Sequence, residues 1–427
     1  MEVIPLFVTL FIALLVGVPV GISMGVASLV SILYLDLPLS QLPQISYGGA
    51  DKLVLIAIPM FLIAGTLMEK GGLTKRLVDL SAIIVGRSYG GLGAVAIIAC
   101  TFFAAISGSG PATTAAIGAL LVPEMKKRGF PGGYAGGTVA SAGGIGIVIP
   151  PSIPLIIYAT MSEQSASKLF LAGFIPGLIV AASLLCFNYF QCRRHDYPRD
   201  TQKYTLNDFK KQFWESKWAL LAPFIILGGI YTGATTVTEA SGIAVLYSLV
   251  AGVFLYRELN LKKIWEALLA ALRITGVSFI MLASGAILAR QLTVANMPDA
   301  MANLIFSITE NKVLVLLMII GLLIFIGMWL ETIAQIIILT PVFLPVMETL
   351  HVDPIHFGII FIIACEIGFQ TPPLGANLFI AKELGGSTYE EVSKVGLLFA
   401  IAETGALILV ALTPATAMFF PNLLMGN

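Results

Sequence analysis

Charged side chains are scarce in this chain: only 11% of its 427 residues are Asp, Glu, Lys or Arg. A soluble domain carries about 25%, so water is not the main solvent of this protein. In place of charge the chain has 58% hydrophobic residues and a mean hydropathy of +0.95. Apolar runs long enough for a membrane-spanning helix, about 18 residues or more, recur along it. The sequence therefore predicts an all-α polytopic membrane protein.

Histidine is also scarce, with three in the whole chain, and the four cysteines lack metal-binding spacing. No zinc-protease, nucleophile-elbow or phosphate-binding-loop motif occurs. Metal or triad chemistry and direct use of ATP therefore have no support, and we expect no enzyme. The formal net charge is zero, so nothing favours nucleic acid as a partner.

Simple or bent spans are predicted for a series of apolar segments. They are 4–34, 53–69, 131–160, 168–192, 217–233, 236–256, 272–290, 354–381 and 392–421. The first has no preceding basic residue and no cleavage site, so it is predicted to be retained. A segment near 258–271 is predicted to be an amphipathic helix at the cytoplasmic interface, or otherwise a loop extension of a span.

Two further apolar segments, 88–123 and 311–347, are interrupted near their middle. The first breaks at the run Ser107-Gly108-Ser109-Gly110-Pro111 and the second at Glu331-Thr332. Backbone groups freed at mid-membrane must be hidden in protein or in a wet cavity. Both segments are therefore predicted to be re-entrant helical hairpins.

Basic residues predict the orientation, because cytoplasmic loops are enriched in Lys and Arg. Seven of them lie between 193 and 217, namely Arg193, Arg194, Arg199, Lys203, Lys210, Lys211 and Lys217. The loop 36–50 has none. We expect a multi-pass protein of the bacterial inner membrane, with a cytoplasmic N-terminus and a periplasmic C-terminus.

An internal repeat has an offset of 222 residues. That offset carries Pro150-Pro151 onto Pro372-Pro373 and superposes the two hairpin breaks. The loop after the first hairpin is basic, whereas the loop after the second carries Glu and Asp without Lys or Arg. Equivalent loops of opposite sign indicate an inverted-topology repeat, a plan typical of secondary transporters.

Three regions follow from this repeat. The first inverted repeat is predicted over 1–192 with hairpin 88–123, and the second over 236–427 with hairpin 311–347. Residues 193–235 form the cytoplasmic basic loop and a linking span.

The first half holds two candidate sites. One is the Ser107–Pro111 tip with Thr113 and Thr114, where helix ends and glycines expose backbone groups to a ligand. The other is the stretch 143–152, where two prolines unwind the span and free its carbonyls. The plain alternatives are a glycine-rich packing patch and a simple kink.

The second half holds the mirrored sites, 331–335 and 366–373. Ionisable groups at membrane depth cost about 3 kcal/mol or more, which draws attention to Glu331 and Glu366. Each is predicted to bind a ligand, carry a proton or brace the fold. Asn377, Glu239 and Glu403 are weaker candidates that we interpret as structural. Arg273 and Arg290 lie near span ends, where snorkelling to the interface explains them.

Several motifs resemble one transporter family across nearly the whole chain. They are IAIPMFLIAGTLMEKGG at 56–72, GRSYGGLGAV at 86–95, FFAAISGSGPATTAAIG at 102–118, GIGIVIPPSIPLIIYA at 144–159 and LFLAGFIPGL at 169–178. They are similar to the large membrane subunit of tripartite ATP-independent periplasmic (TRAP) transporters.

The resemblance implies an elevator-type fold, in which the hairpins and broken helices slide against a scaffold. It implies a separate small four-helix membrane subunit and a soluble periplasmic substrate-binding protein as partners, besides the lipid bilayer. Transport would be driven by sodium. The substrate would be a small carboxylate such as sialic acid or a C4-dicarboxylate.

The resemblance also implies site residues. At least two sodium ions would bind, the first at the tip and carbonyls of Ser107, Gly108, Ser109, Gly144, Val148 and Pro150. The second would use Thr332, Gly368, Thr371 and Pro372, with Glu331, Gln335 and Glu366 as possible members. Substrate contacts are expected from Ser107, Gly110, Pro151 and Ser152.

Three other interpretations stay open at this point. A stand-alone sodium–carboxylate symporter with the same hairpins would transport free substrate without partners. An intramembrane enzyme would need a paired nucleophile and base, and a channel would show unitary conductance.

Overall fold

The computed structural model of the protein describes residues 4–198 and 205–426. Arg199 and Lys203 of the predicted basic loop lie outside these residues. The described chain is helical and contains no strand. Its helices are α1 (Ile4–Leu15), α2 (Val20–Tyr34), α3 (Gln41–Ala50), α4 (Ala57–Lys70), α5 (Leu73–Val85), α6 (Gly91–Ser107), α7 (Gly110–Lys127), α8 (Gly132–Val148), α9 (Ile153–Ser162), α10 (Ala166–Arg194), α11 (Leu206–Tyr231), α12 (Val237–Val250), α13 (Leu261–Val294), α14 (Met297–Ile308), α15 (Lys312–Gly327), α16 (Thr332–Thr349), α17 (Pro354–Phe369), α18 (Ala376–Gly385), α19 (Tyr389–Leu412) and α20 (Ala415–Met425). A 3₁₀ turn (Leu53–Ile56) precedes α4, and a π turn (Ala251–Leu255) extends α12.

Seven helices of the described chain are long and apolar enough to cross a membrane, or eight spans when the bent pair α8–α9 is counted. The outer helices turn large apolar side chains outward; Leu15 is 86% and Phe224 is 74% exposed. Apolar surface of that extent needs an apolar surrounding. The chain is therefore a multi-pass membrane protein, as the composition predicts.

The breaks predicted from the sequence are confirmed. The first interrupted segment forms α6 and α7, and the second forms α15 and α16. The proline pair at 150–151 separates α8 from α9, which are bent by 43°. The equivalent pair at 372–373 lies between α17 and α18, and both Pro–Pro peptide bonds are cis.

Three predicted boundaries are wrong. Segment 4–34 is two helices, because Gly17 has a φ of +86° and Pro19 immediately precedes α2 as its N-cap residue. Segment 392–421 divides at Pro414 into α19 and α20. The segment near 258–271 is the first part of the 34-residue helix α13 rather than a separate interfacial helix.

Helix α8 lies at the centre of the molecule and is buried along almost its whole length. It packs against α6, α7, α10, α17, α18 and α19. Small residues make this crowding possible, because glycine and alanine let neighbouring backbones approach closely. Helix α13 packs on another set of helices, α2, α3, α4 and α16.

Candidate functional site

The first hairpin tip is held by its own hydroxyl groups. Helix α6 ends at Ser107, and Gly108 has a φ of +63°, a left-handed conformation that favours glycine. The Ser109 side chain caps α7 by accepting from the Ala112 amide at 3.4 Å. The hydroxyl oxygens of Ser107 and Thr113 lie 2.7 Å apart. The serines at this tip therefore close the turn and cap the next helix.

This tip is joined to the α8–α9 break. The Ile153 amide donates to the Gly108 carbonyl at 3.1 Å, and a Cβ built on Gly108 would lie 2.6 Å from the Pro151 carbonyl oxygen. Ser152 caps α9 by accepting from the Leu155 amide, and its hydroxyl donates to the Ile147 carbonyl. The first two predicted motifs thus form one unit.

The second hairpin tip is joined to the α17–α18 break in a similar way. The Leu374 amide donates to the Met328 carbonyl at 3.3 Å. Gly327 and Gly368 are in backbone contact, since a Cβ built on Gly368 would lie 2.6 Å from the Gly327 Cα. The Thr332 hydroxyl at the start of α16 is buried and has no hydrogen-bond partner in the described chain.

Other residues predicted for the second unit are engaged within it. Gln335 donates to the Leu330 carbonyl at 3.2 Å, and its side-chain oxygen accepts from the Cys365 thiol at 3.2 Å. The Thr371 hydroxyl donates to the Ile367 carbonyl. These contacts hold the tip of the second hairpin on the end of α17.

A cavity of about 370 Å³ lies between the two tips. Its lining includes Gly108, Ser109 and Pro111 of the first tip, and Glu331 and Thr332 of the second. Small-molecule sites typically have about 300–1,000 Å³. The two hairpins therefore meet at one space of suitable size for a small ligand.

Three helix N-termini contribute to this lining. They belong to α7, to α9 through Ile153 and Pro154, and to α16 through Thr332 and Ile333. A helix N-terminus carries partial positive charge, so it favours anions. The first amides of α7 and α9 are already engaged by their caps and by the Gly108 carbonyl, so these two ends act through their charge. The C-termini of α6 and α8 meet at the first break, and those of α15 and α17 meet at the second. Helix C-termini favour cations. The anion-favouring helix ends therefore line the cavity, and the cation-favouring ends lie at the two breaks.

Helix α13 forms the opposite wall with Arg273, Val277, Ser278 and Met281. Arg273 is exposed, and within the described residues it takes part in no salt bridge. Besides snorkelling, Arg273 therefore has a second candidate role, because it lines the cavity that both tips reach. Arg273, Val277 and Met281 share one face of α13 by their i, i+4 spacing, but the sequence does not show which elements this face meets.

The predicted substrate residues lie just behind this lining. Ser107 and Ser152 are buried, and their hydroxyls are engaged as described above. Gly110 faces the Asn377 amide, and Pro151 contacts Gly108. A substrate contact by Ser107 or Ser152 would require one of these hydrogen bonds to be exchanged, whereas Ser109 lines the cavity directly.

The residues predicted to offer carbonyls to the first sodium site lie against different neighbours. A Cβ built on Gly144 would lie 2.0 Å from a Glu366 carboxylate oxygen. The Val148 carbonyl and the Pro150 ring instead lie against Gly173 of α10. The unpartnered Thr332 hydroxyl and the paired helix C-termini nevertheless supply the oxygen atoms that a hard cation prefers.

Known proteins similar to this chain include several permeases. The isethionate TRAP transporter permease protein DctMQ of Oleidesulfovibrio alaskensis is 38% identical over 90% of this chain, which spans 60% of that protein's length. The C4-dicarboxylate TRAP transporter large permease protein DctM of Pseudomonas aeruginosa is 36% identical over 88% of each chain. The sialic acid TRAP transporter large permease protein SiaM of Vibrio cholerae is 34% identical over 89% of this chain and 88% of that protein.

The fold and the family match agree with these relatives. The crystal structure of the Alcanivorax borkumensis YdaH transporter superposes with a TM-score of 0.62 at 17% identity, over 90% of this chain and 88% of that one. At that identity the likeness concerns the fold. The family described as "Tripartite ATP-independent periplasmic transporter, DctM component" matches residues 7–416. This chain therefore belongs to the DctM family of TRAP transporter large permeases.

Proposed function

We propose that this chain moves a small carboxylate, such as sialic acid or a C4-dicarboxylate, through the cavity between its hairpin tips. One observation carries the proposal: three helix N-termini and the Arg273 guanidinium converge on a single space. A carboxylate there would be stabilised by the partial positive charge of these helix ends and would pair with a fixed cation. The substrates named for its relatives, isethionate, C4-dicarboxylate and sialic acid, are all small organic anions.

Sodium would be the coupling ion, with at least two bound per cycle. The first site would use the oxygens of the Ser107–Ser109 turn and of the stretch from Gly144 to Pro150. The second would use Thr332 and the stretch from Gly368 to Pro372. The paired helix C-termini at each break support this assignment, because they concentrate partial negative charge where carbonyls are free.

The two hairpin–break units would be inverted repeats that move together as an elevator. The aligned proline pairs and the backbone hydrogen bond from each break to its own hairpin tip support this proposal. Helix α13 would belong to the scaffold, so the substrate would meet Arg273 only when the tips face it. Substrate release would then begin when the tips move away from α13.

This permease would act in the bacterial inner membrane with its N-terminus in the cytoplasm and its C-terminus in the periplasm. A separate small four-helix subunit and a soluble periplasmic binding protein would complete the transporter. The names of the relatives support these partners, since each is called a TRAP transporter permease.

Reconstitution in liposomes tests the proposal. The chain is inserted with its small subunit, an inward sodium gradient is applied, and uptake of labelled sialic acid, succinate and isethionate is measured with and without the binding protein. We expect accumulation of one of them that needs sodium and both partners. Accumulation that ignores sodium contradicts the coupling, and uptake by the chain alone supports a stand-alone symporter instead.

Arg273→Ala tests the cavity itself. Losing a charged partner of the carboxylate should cost about 1.5–3 kcal/mol of binding, which raises the half-saturating substrate concentration about tenfold or more. Arg290→Ala is the matched control, because Arg290 is an exposed arginine on the same helix. Equal effects of the two substitutions would remove Arg273 from the site.

A further inference from the structure

A second polar cluster lies between α8, α17, α18 and α19, behind the tip of the first hairpin. Its anchor is Glu366 of α17, which is 3% exposed and accepts from the Asn377 side-chain amide at 3.1 Å. The same amide group lies 3.4 Å from the Ala140 carbonyl of α8. Asn377 is fully buried, so this cluster is enclosed in protein.

Glu403 of α19 faces the same place. It is 1% exposed, and it lies within electrostatic range of Glu366. Helices α17 and α19 contact each other on both sides of the pair. His356 Nε2 lies 3.0 Å from the Val410 carbonyl, and a Cβ built on Gly396 would lie 3.4 Å from the carbonyl of Gln370, the residue after α17. Two carboxyl groups from different helices are thus brought together in the interior.

Several oxygens of this cluster have no hydrogen-bond partner in the described chain. They are both carboxylate oxygens of Glu403, Oε2 of Glu366 and Oδ1 of Asn377. Because the Asn377 amide nitrogen donates to Glu366, its oxygen must point to another neighbour. The Thr114 hydroxyl, also unpartnered and fully buried, lies next to Gly143, the residue before Gly144 against which Glu366 packs.

As two carboxylates, this arrangement is unfavourable unless a cation or a proton binds there. Buried acceptors without a donor keep their full desolvation cost, and two nearby carboxylates repel each other. No salt bridge reaches either carboxylate among the described residues. A cation removes both penalties at once, and oxygen-only ligands from carboxylates and an amide suit a hard cation.

We propose that Glu366, Glu403 and the Asn377 side-chain oxygen bind an additional sodium ion, with Thr114 beside it. This inference rests on sodium coupling as proposed above. It assigns Glu366 to this site rather than to the second hairpin. The site joins α7, through Thr114, to α17, α18 and α19, so its occupancy would hold the first and second halves in one arrangement.

Sodium-dependent thermal stability of the purified full-length chain in nanodiscs tests the site without partners or substrate. Sodium chloride replaces potassium chloride at constant ionic strength, and the unfolding midpoint is recorded. We expect the wild-type midpoint to rise with sodium. In Glu403→Gln the apparent sodium dissociation constant should increase about tenfold, the loss typical of a contact to a charged group.

Glu390→Gln is the control, because Glu390 lies on the same helix and is exposed in a pair with Lys394. It should respond to sodium as the wild type does. If Glu403→Gln cannot be purified, Glu366→Gln replaces it with the same expectation. A wild-type sodium response in these variants overturns the site and leaves the proposed function intact. A wild type that does not respond to sodium contradicts sodium coupling itself, and this site with it.

Discussion

The two hairpin units have the same layout but treat their polar groups differently. In the first, Ser107, Ser109 and Thr113 are all hydrogen-bonded within the tip. In the second, the Thr332 hydroxyl has no partner in the described chain, and Glu331 is in no salt bridge there. Of the hydroxyl residues that line the cavity, Ser109 at the first tip is engaged, whereas Thr332 at the second has a hydroxyl without a partner among the described residues. Thr114, further along α7, also has a hydroxyl that is unpartnered in this part of the chain.

Their surroundings differ as well. Helix α6 is buried along most of its length, whereas α15 is buried on one face and leaves Phe325 58% exposed. A hairpin tip enclosed in protein gains stability by pairing its own polar atoms, because no water or lipid headgroup reaches them. The serine- and glycine-rich sequence of the first tip therefore indicates mainly a tight, enclosed turn. Groups that bind a ligand are expected from the second hairpin as well as from the first.

The largest effect should come from Glu331→Gln, which removes the ionisable group of the second tip. If that tip supplies the free ligand groups, sodium-driven uptake should fall more than tenfold, as expected for the loss of one charged contact. Ser109→Ala at the first tip should reduce uptake less, since its hydroxyl is engaged in capping α7. Uptake is measured in the liposome assay with the anion that the wild type accumulates. A stronger defect in Ser109→Ala would reverse the comparison.

A smaller effect, on stability, should follow Gly108→Ala. The left-handed conformation costs an alanine about 1–2 kcal/mol, and its Cβ would crowd the Pro151 carbonyl. The control is Gly321→Ala in α15, where nothing lies within 4 Å of the added methyl group and alanine gains about 1 kcal/mol in a helix. Thermal unfolding in detergent should move in opposite directions for the two variants. Equal midpoints would show that the first tip is not tightly constrained.

The smallest effects separate the two tip hydroxyls. Ser107→Ala loses the hydrogen bond to Thr113 and should destabilise the protein by about 1 kcal/mol. Thr332→Val removes a buried hydroxyl that has no partner, so its stability should be unchanged or slightly higher. When uptake in the liposome assay is measured against sodium concentration, we expect the opposite order. The half-saturating sodium concentration should increase more in Thr332→Val than in Ser107→Ala. The comparison fails if Ser107→Ala has both defects.

Much of the fold could be predicted because membrane burial leaves a local signal. Glycine and proline marked the first hairpin break and both broken helices, since each acts on the backbone where it stands. The second hairpin break was marked instead by the polar pair Glu331-Thr332. Boundaries at Pro19 and Pro414 were missed because the apolar run continues across them. Glu239 was interpreted correctly as structural, since its carboxylate accepts from Thr236 in a capping box at the start of α12.

The lining of the site could not be predicted in the same way. Ser107 and its neighbour Ser109 have similar local surroundings in the sequence, yet only Ser109 reaches the cavity. Arg273 lies near the end of a predicted span, where an arginine is common, and nothing in the neighbouring sequence shows that α13 faces the two tips. Glu403 and Glu366 are 37 residues apart on different helices, so their proximity follows from packing alone.

The sequence by itself determined that this chain lies in a membrane, where its helices break, and to which family it is similar. Each of these depends on residue type and on spacing within one segment. Tertiary structure decided which helix ends share a cavity, which hydroxyls are already bonded, and where two buried carboxylates meet. Those outcomes depend on contacts between distant segments, which are decided only when α8 and α13 are packed among their neighbours.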